Sequence, residues 1–191
     1  MILCMDTAYK FLSLTLIDDN QVIASYNEEC FKKQSERIFV EIDKLFKENN
    51  LTAQDLDGVC ITKGPGSYTG VRIAMTVAKI LATQLDIDLY TISTLRLYAN
   101  NQPNTAVIMD ARSSRVYFGV YNGSEEIVAD TIINNEQIKD YAKYHLIGDL
   151  YLIGQDNINY NISECFLNTQ SQWVKEQNKH LVAPVYLKDY A

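Results

Sequence analysis

Apolar and polar positions repeat along this chain before any motif stands out. Shifted by 104 positions, Leu3-Cys4-Met5-Asp6 falls on Val107-Ile108-Met109-Asp110 without a gap. Leu12, Leu14 and Leu16 then fall on Val116, Phe118 and Val120, and Ile23 falls on Ile127. Each copy reads as a buried strand ending in Asp, a short turn, an alternating strand, a second turn and a third strand. Period-2 alternation over 11–17 and 116–121 predicts strands. Asp18-Asp19-Asn20 and Asn122-Gly123 predict the second turns, Asn-Gly being a strong hairpin signal.

Between the copies the period changes to that of a helix. Phe31, Ile38, Phe39, Ile42, Leu45 and Phe46 form one stripe, which Asn49-Asn50 ends. Thr52-x-x-Asp55 resembles a capping box opening one short turn. A compact strand is predicted at 59–62, a helix at 71–85, a strand at 90–92 and a helix capped by Ser93 or Thr94 through 99. The polar, proline-marked stretch 100–104 is the expected linker, dividing the chain into lobes 1–103 and 104–191. In the shorter second lobe, Asn134 or Asn135 is expected to cap a helix through 144. A strand is predicted at 150–153 and a weakly patterned helix at 160–178. The segment 182–187 reads as a last strand or an extended tail, Pro184 arguing for an edge.

Composition narrows the class. Of 191 residues, 47% are hydrophobic and 21% charged, ordinary globular usage that excludes a fibre, a coiled coil or a disordered tail. No apolar run reaches membrane-spanning length. The first residues lack a basic region ahead of a hydrophobic core, so no secretory leader is expected. The four cysteines have no CxxC spacing, which suits buried free thiols in a reducing cytosol. The net charge of −7 argues against a chain that grips a phosphate backbone alone.

The densest glycine loop is Gly64-Pro65-Gly66-Ser67-Tyr68-Thr69-Gly70, between a predicted strand and a helix. Val71-Arg72 follows it, where a P-loop needs Lys-Ser/Thr, and the GxGxxG spacing fails by one residue. The loop either exposes backbone N–H groups to an anion or lets the helix pack close to the sheet. Asp6 and Asp110, each ending a buried strand, allow two readings. One is positioning of water or magnesium at phosphates; the other is satisfying backbone donors in the next turn. Two isolated histidines, His145 and His180, leave no histidine metal motif and no evident base for a serine or cysteine nucleophile. Arg112 and Arg115, flanking the turn after Asp110, either meet an anion or sit in a solvated turn.

Met5-Asp6-Thr7, the run from Lys63 through Gly70 to Val71-Arg72, Ser93-Thr94-Leu95, Asp110-Ala111-Arg112 and Pro184-Val185-Tyr186-Leu187 together resemble the TsaB (YeaZ) family. The likeness runs from residue 1 to about 121, with the terminal Val-Tyr-Leu beyond. It implies an α/β, duplicated actin/hexokinase/Hsp70-like (ASKHA) fold with ribonuclease-H-like lobes, the second shortened. It also implies a non-catalytic cytoplasmic subunit, without cofactor or metal. That subunit acts with TsaD and the ATPase TsaE in placing threonylcarbamoyl on N6 of adenosine 37, in tRNAs reading codons that begin with A. Contact with tRNA comes only through the complex, and no membrane is involved. The HxxxH metal motif of TsaD falls on Thr94 and Tyr98 here. The chain departs from the family in its short second half and in Ser113-Ser114-Arg115.

On this reading Asp6, Thr7, Gly64, Gly66, Ser67, Gly70 and Asp110 are a vestigial nucleotide cleft. The helix at 71–85 is apolar on two faces, so Ile73, Val77 and Ile80 are expected to meet a partner. The outer side of the first helix, at Lys33, Glu36, Val40 and Lys44, would join them; an apolar Val40 opposite the core stripe is otherwise unexplained. The resemblance makes that partner TsaD, with a homodimer through the same patch in its absence. The competing classes are a small-molecule kinase or ATPase of the same fold and a glycoprotease-like peptidase.

Overall fold

A computed structural model describes residues 1–30, 33–157 and 161–188. The first lobe opens with a meander, β1 (Ile2–Asp6), β2 (Phe11–Asp18) and β3 (Gln21–Glu29). Helix α1 (Gln34–Glu48), β4 (Gly58–Thr62), α2 (Tyr68–Gln84), β5 (Asp88–Ile92) and α3 (Thr94–Ala99) follow. The second meander is β6 (Thr105–Asp110), β7 (Arg115–Asn122) and β8 (Glu125–Asn134). Then come β9 (His145–Gly148), α4 (Ile162–Asn168) and the two-residue β10 (Val174–Lys175). The first sheet has the order β10-β5-β4-β1-β2-β3 and the second β8-β7-β6-β9. In each, the antiparallel meander is extended by a parallel strand beside its first member. The repeat is therefore structural: β7 begins and ends 104 positions after β2. This is a duplicated α/β fold whose second half carries only one short α-helix, α4, among the described residues.

Strand alternation allots each side chain to a layer. Leu3 and Met5 of β1 join α1 and α2 in one core. Cys4 between them faces a second core shared with α3, α4 and the second sheet. In β6, Val107 and Met109 enter that shared core, while Ala106 and Ile108 face a third. Both faces of β1, β4 and β6 are thus covered, which is why these strands read as unbroken apolar runs. The four cysteines are buried free thiols. No helix among the described residues is long and apolar enough to cross a membrane.

Several expected elements change. The 135–144 helix is a 3-10 helix, Asn135–Tyr141, with Asn134 at its N-cap. The run 150–153 is not a strand but a 3-10 turn, Leu150–Ile153, and the strand is β9 just before it. Gly148, at φ +110°, ends the strand and lies so close to the Ile108 carbonyl that a Cβ there would overlap it. Leu150 then drops into the third core; a short apolar run carries no period to tell these outcomes apart. The 160–178 segment divides into α4, a 3-10 turn and β10, and its first residue, Tyr160, lies outside the described residues. Residues 182–187 form an extended tail outside both sheets. Of the predicted first-helix stripe, Phe31 lies outside the described residues, and Phe39 is not core but 59% exposed. It sits about 100° round the helix from buried Ile38.

Candidate functional site

The turn after β1 and the glycine loop are clamped face to face. Thr7 Oγ1 donates to the Gly70 carbonyl (2.7 Å) and accepts from the Ala74 N–H (3.1 Å). The Ser67 N–H donates to the Ala8 carbonyl (2.7 Å), while Ser67 Oγ caps α2 by accepting from the Gly70 N–H (3.2 Å). A Cβ on Gly66 or Gly70 would overlap the carbonyl oxygens of Ala8 and Thr7 respectively. The glycines therefore serve close approach of two backbones. Gly70→Ala is expected to cost about 1–3 kcal/mol or more, because the opposing atom is rigid backbone. Urea unfolding measures this, and an unchanged midpoint would contradict it.

Asp6 is fully buried. Its Oδ1 accepts from the Ala8 N–H (2.9 Å) and the Thr62 hydroxyl (2.6 Å), and its Oδ2 from the Tyr98 hydroxyl (2.9 Å). Burial pushes the carboxyl up from its ordinary range, the hydrogen bonds opposing. One of these donors, the Ala8 N–H, belongs to the following turn, and the other two are hydroxyls from β4 and α3. Thr94 and Tyr98 are both buried on α3, so the pair matching the TsaD metal motif is enclosed here, with Tyr98 bonded to Asp6.

Asp110, at the same place in the second lobe, differs. It lines a cavity of about 460 Å³ between the lobes, together with Gly66 and Ser67. Asp6, Thr7, Gly64 and Gly70 are not among its lining residues. Asp110 Oδ1 accepts from the Arg112 N–H (2.7 Å) and Oδ2 from the Tyr151 hydroxyl (3.2 Å). Other wall residues are Arg112, which the sequence offered as an anion contact, and Tyr9, Lys10 and Lys188, which it did not single out. Lys10 Nζ reaches the buried carboxylate of Asp149 (2.8 Å), which also accepts from the Asp110 N–H (2.7 Å). Only the Lys10 charge two residues beyond Ala8 hinted at this pairing, because its partner is 139 residues away. Arg112, Ser113 and Ser114 all have positive φ, +55° to +62°, a turn conformation rare for side-chain-bearing residues.

A second concavity, about 370 Å³, is an apolar groove between α1 and α2 lined by Ile38, Phe39, Tyr68, Arg72, Ile73 and Val77, among others. The expected partner face is partly redrawn by it. Val77 is only 3% exposed and belongs to the core, and Ile73 is half-buried. Ile80 is 50% exposed, two turns along α2 from Ile73. Lys33, Glu36, Val40 and Lys44 are all exposed, but on the side of α1 turned away from the groove. Phe39 is the exposed apolar α1 residue in the groove, and its signal is the apolar run Ile38-Phe39-Val40, which no single helix face can bury.

Residues 20–146 match the family model described as TsaD: tRNA N6-adenosine threonylcarbamoyltransferase. A tRNA threonylcarbamoyladenosine biosynthesis protein TsaB from Bacillus subtilis (strain 168) is 39% identical over 137 residues, 68% of this chain and 60% of that one. The chain belongs to the TsaB (YeaZ) family. A second TsaB relative, from Buchnera aphidicola subsp. Schizaphis graminum (strain Sg), is 29% identical over 165 residues, 78% of each chain. Among solved structures, an uncharacterized protein with similarity to peptidase YEAZ from Pseudomonas aeruginosa superposes with a TM-score of 0.82 at 21% identity. That superposition covers 98% of this chain and 99% of the other. It shows the same fold. The match to the Bacillus relative thus spans less than two thirds of that protein's length.

Proposed function

We propose that this chain is a non-catalytic scaffold subunit in the biosynthesis of N6-threonylcarbamoyladenosine in tRNA, holding TsaD through α1 and α2. The observation that carries the scaffold role is the open apolar groove between those helices, lined by Phe39 and Ile73, with half-exposed Ile80 further along α2. An exposed apolar strip of this kind seeks cover. Two helices from each of two chains would form a seam of standard size, roughly 1,600 Å² in total. In the absence of TsaD the same surface favours a homodimer. TsaE joins the TsaD-bound form, and the work is cytoplasmic, where tRNA is. A kinase or ATPase reading would place a strand-end carboxylate of each lobe in the cleft, whereas Asp6 is enclosed by three protein donors.

The direct test combines the chain with TsaD and TsaE from the same organism, measuring mass in solution and threonylcarbamoyl transfer to tRNA. A complex with TsaD, and loss of transfer when the chain is omitted, are expected. Transfer at an unchanged rate without it would end the scaffold reading. Two further results follow for the isolated chain. It should turn over ATP far below the common enzymatic scale of ~10 per second, as a coupled phosphate-release assay reads. It should also leave tRNA unshifted at micromolar concentration in a gel assay, since a net charge of −7 provides little counterion release. A salt-dependent shift by the chain alone would contradict the second.

A further inference from the structure

The apolar groove between α1 and α2 carries a single charge. Among the described residues Arg72 is the only charged side chain that lines it. Arg72 is exposed, and no carboxylate of the described residues lies within ion-pair distance of it. Its guanidinium is nonetheless held in one place. The guanidinium carbon stands 4.3 Å from the centre of the Tyr68 ring and 5.8 Å from that of Tyr186. Those two rings stack on each other at 5.0 Å. Arg72 Nε donates to the Tyr186 hydroxyl oxygen (2.7 Å). Tyr186 arrives from 114 residues further along the chain, on the extended tail. That tail is strapped to the first lobe. The Val185 N–H donates to the Lys63 carbonyl (2.7 Å), Val182 is buried in the core of α1 and α2, and Lys79 Nζ donates to the His180 carbonyl (2.9 Å). Among the described residues only Nε of the guanidinium is engaged, so its two Nη groups keep their donors.

We infer that the partner helix filling this groove presents an Asp or Glu carboxylate to the Nη pair of Arg72, and that the tail, through Tyr186, positions the guanidinium for it. Two parallel N–H bonds from one guanidinium fit the two oxygens of a carboxylate. A groove that is apolar but for one cation matches an amphipathic helix with an acidic residue at the border of its apolar stripe. Without that residue, closing the seam would strip Arg72 of water and leave it unpaired, which opposes association. An arginine already laid across aromatic rings has little side-chain freedom left to lose when the partner arrives. A second copy of this chain fits less well, because an isologous seam brings a second Arg72 into the same interface. The inference rests on the scaffold reading and adds the chemistry of the partner's contact and the tail's part in it. Arg72 is the contact residue and Tyr186 the positioning residue.

The test is calorimetric titration of the full chain with TsaD from the same organism, with circular dichroism and mass in solution for each variant. Arg72→Gln, an exposed change, should stay folded and weaken binding about thirtyfold; Arg72→Glu should weaken it further. Tyr186→Ala should weaken binding in the parent chain but not further in Arg72→Gln, since it acts through Arg72. Tyr186→Phe, which keeps the ring and removes only the acceptor oxygen, should show the same pattern with a smaller loss. Changing the Asp and Glu residues of TsaD to Lys one at a time should find one change that restores binding to Arg72→Glu. Parent-like affinity in folded Arg72→Gln and Arg72→Glu, beside a loss in Ile80→Asp, would overturn the carboxylate contact and leave the groove as the partner site. Equal losses from the Tyr186 variants with and without Arg72 would overturn the tail's role. Loss of the homodimer alone in the Arg72 variants would give the contact to a second copy and overturn the acidic partner helix. A parent chain that binds no TsaD would end the scaffold reading itself, and the contact with it.

Discussion

Asp6→Ala is expected to lose roughly 3–9 kcal/mol of stability, from three buried donors at about 1–3 kcal/mol each. The loss falls on the Ala8 N–H and the hydroxyls of Thr62 and Tyr98, which have no water to turn to. Set against the 5–15 kcal/mol of a typical domain, it should take much of the chain out of the folded state at moderate temperature. Asp6→Asn retains an acceptor oxygen for two of the donors, and its amide can donate to the Tyr98 oxygen, so it should cost far less. The pH profile separates the two forms of the carboxyl. Its folded pKa is raised, so the folded chain keeps this proton where the unfolded chain has released it. The contribution is complete below the unfolded carboxylate range near 4 and declines as pH rises through the folded pKa. The stability difference between the native chain and Asp6→Asn should therefore shrink with rising pH across that window. Urea unfolding at several pH values measures both effects. An Asp6→Ala chain as stable as the parent would mean that Asp6 does not hold these elements together.

Ile80→Asp should leave the isolated chain folded and abolish its hold on TsaD. Ile80 is 50% exposed, so a carboxylate there is solvated in the free chain. In a closed seam it would be stripped of water without a counter-charge. Truncating or mismatching such a contact costs on the order of 2–5 kcal/mol, a loss in affinity of about 30-fold to several thousandfold. The homodimer should fall to a monomer for the same reason. Phe39→Asp, across the groove, should act alike, while Val40→Asp tests the other side of α1. Circular dichroism, mass in solution and TsaD binding read the three variants together. Retained binding in folded Ile80→Asp and Phe39→Asp chains would move the partner away from α2. Loss in Val40→Asp alone would put it on the outer side of α1.

The groove also shows why helix patterning ran ahead of packing. On α2 the run of apolar residues correctly implied burial on more than one side, yet Val77 was covered by the chain itself. Whether an apolar residue at a given angle is core or surface depends on where α1 comes to rest. That position is set by the core that α1 and α2 form with β1 and β4, which leaves no period in the sequence. Phe39 was misplaced by the same ambiguity. Its neighbour Ile38 had the stronger claim to the core, and a helix face wide enough for both would have needed a second covering layer.

What local pattern determined is extensive. The duplicated meanders, their second turns, the Ser93 cap, the Asn49-Asn50 stop and the buried strand ends all follow from residues within a few positions of one another, whereas the Ser67 cap, ahead of the predicted helix start at 71, was not legible there. Short-range periodicity and turn chemistry are encoded where they act. Only the tertiary structure separated Asp6 from Asp110, which occupy the same place in the two copies. Asp6 is sealed by Thr62 and Tyr98, 56 and 92 residues away, brought in by β4 and α3. Asp110 faces Tyr151 and the Arg112 turn instead, and so remains in the wall of a cavity. A carboxylate's role is decided by which donors surround it, and those donors come from distant segments whose meeting is a property of the folded chain.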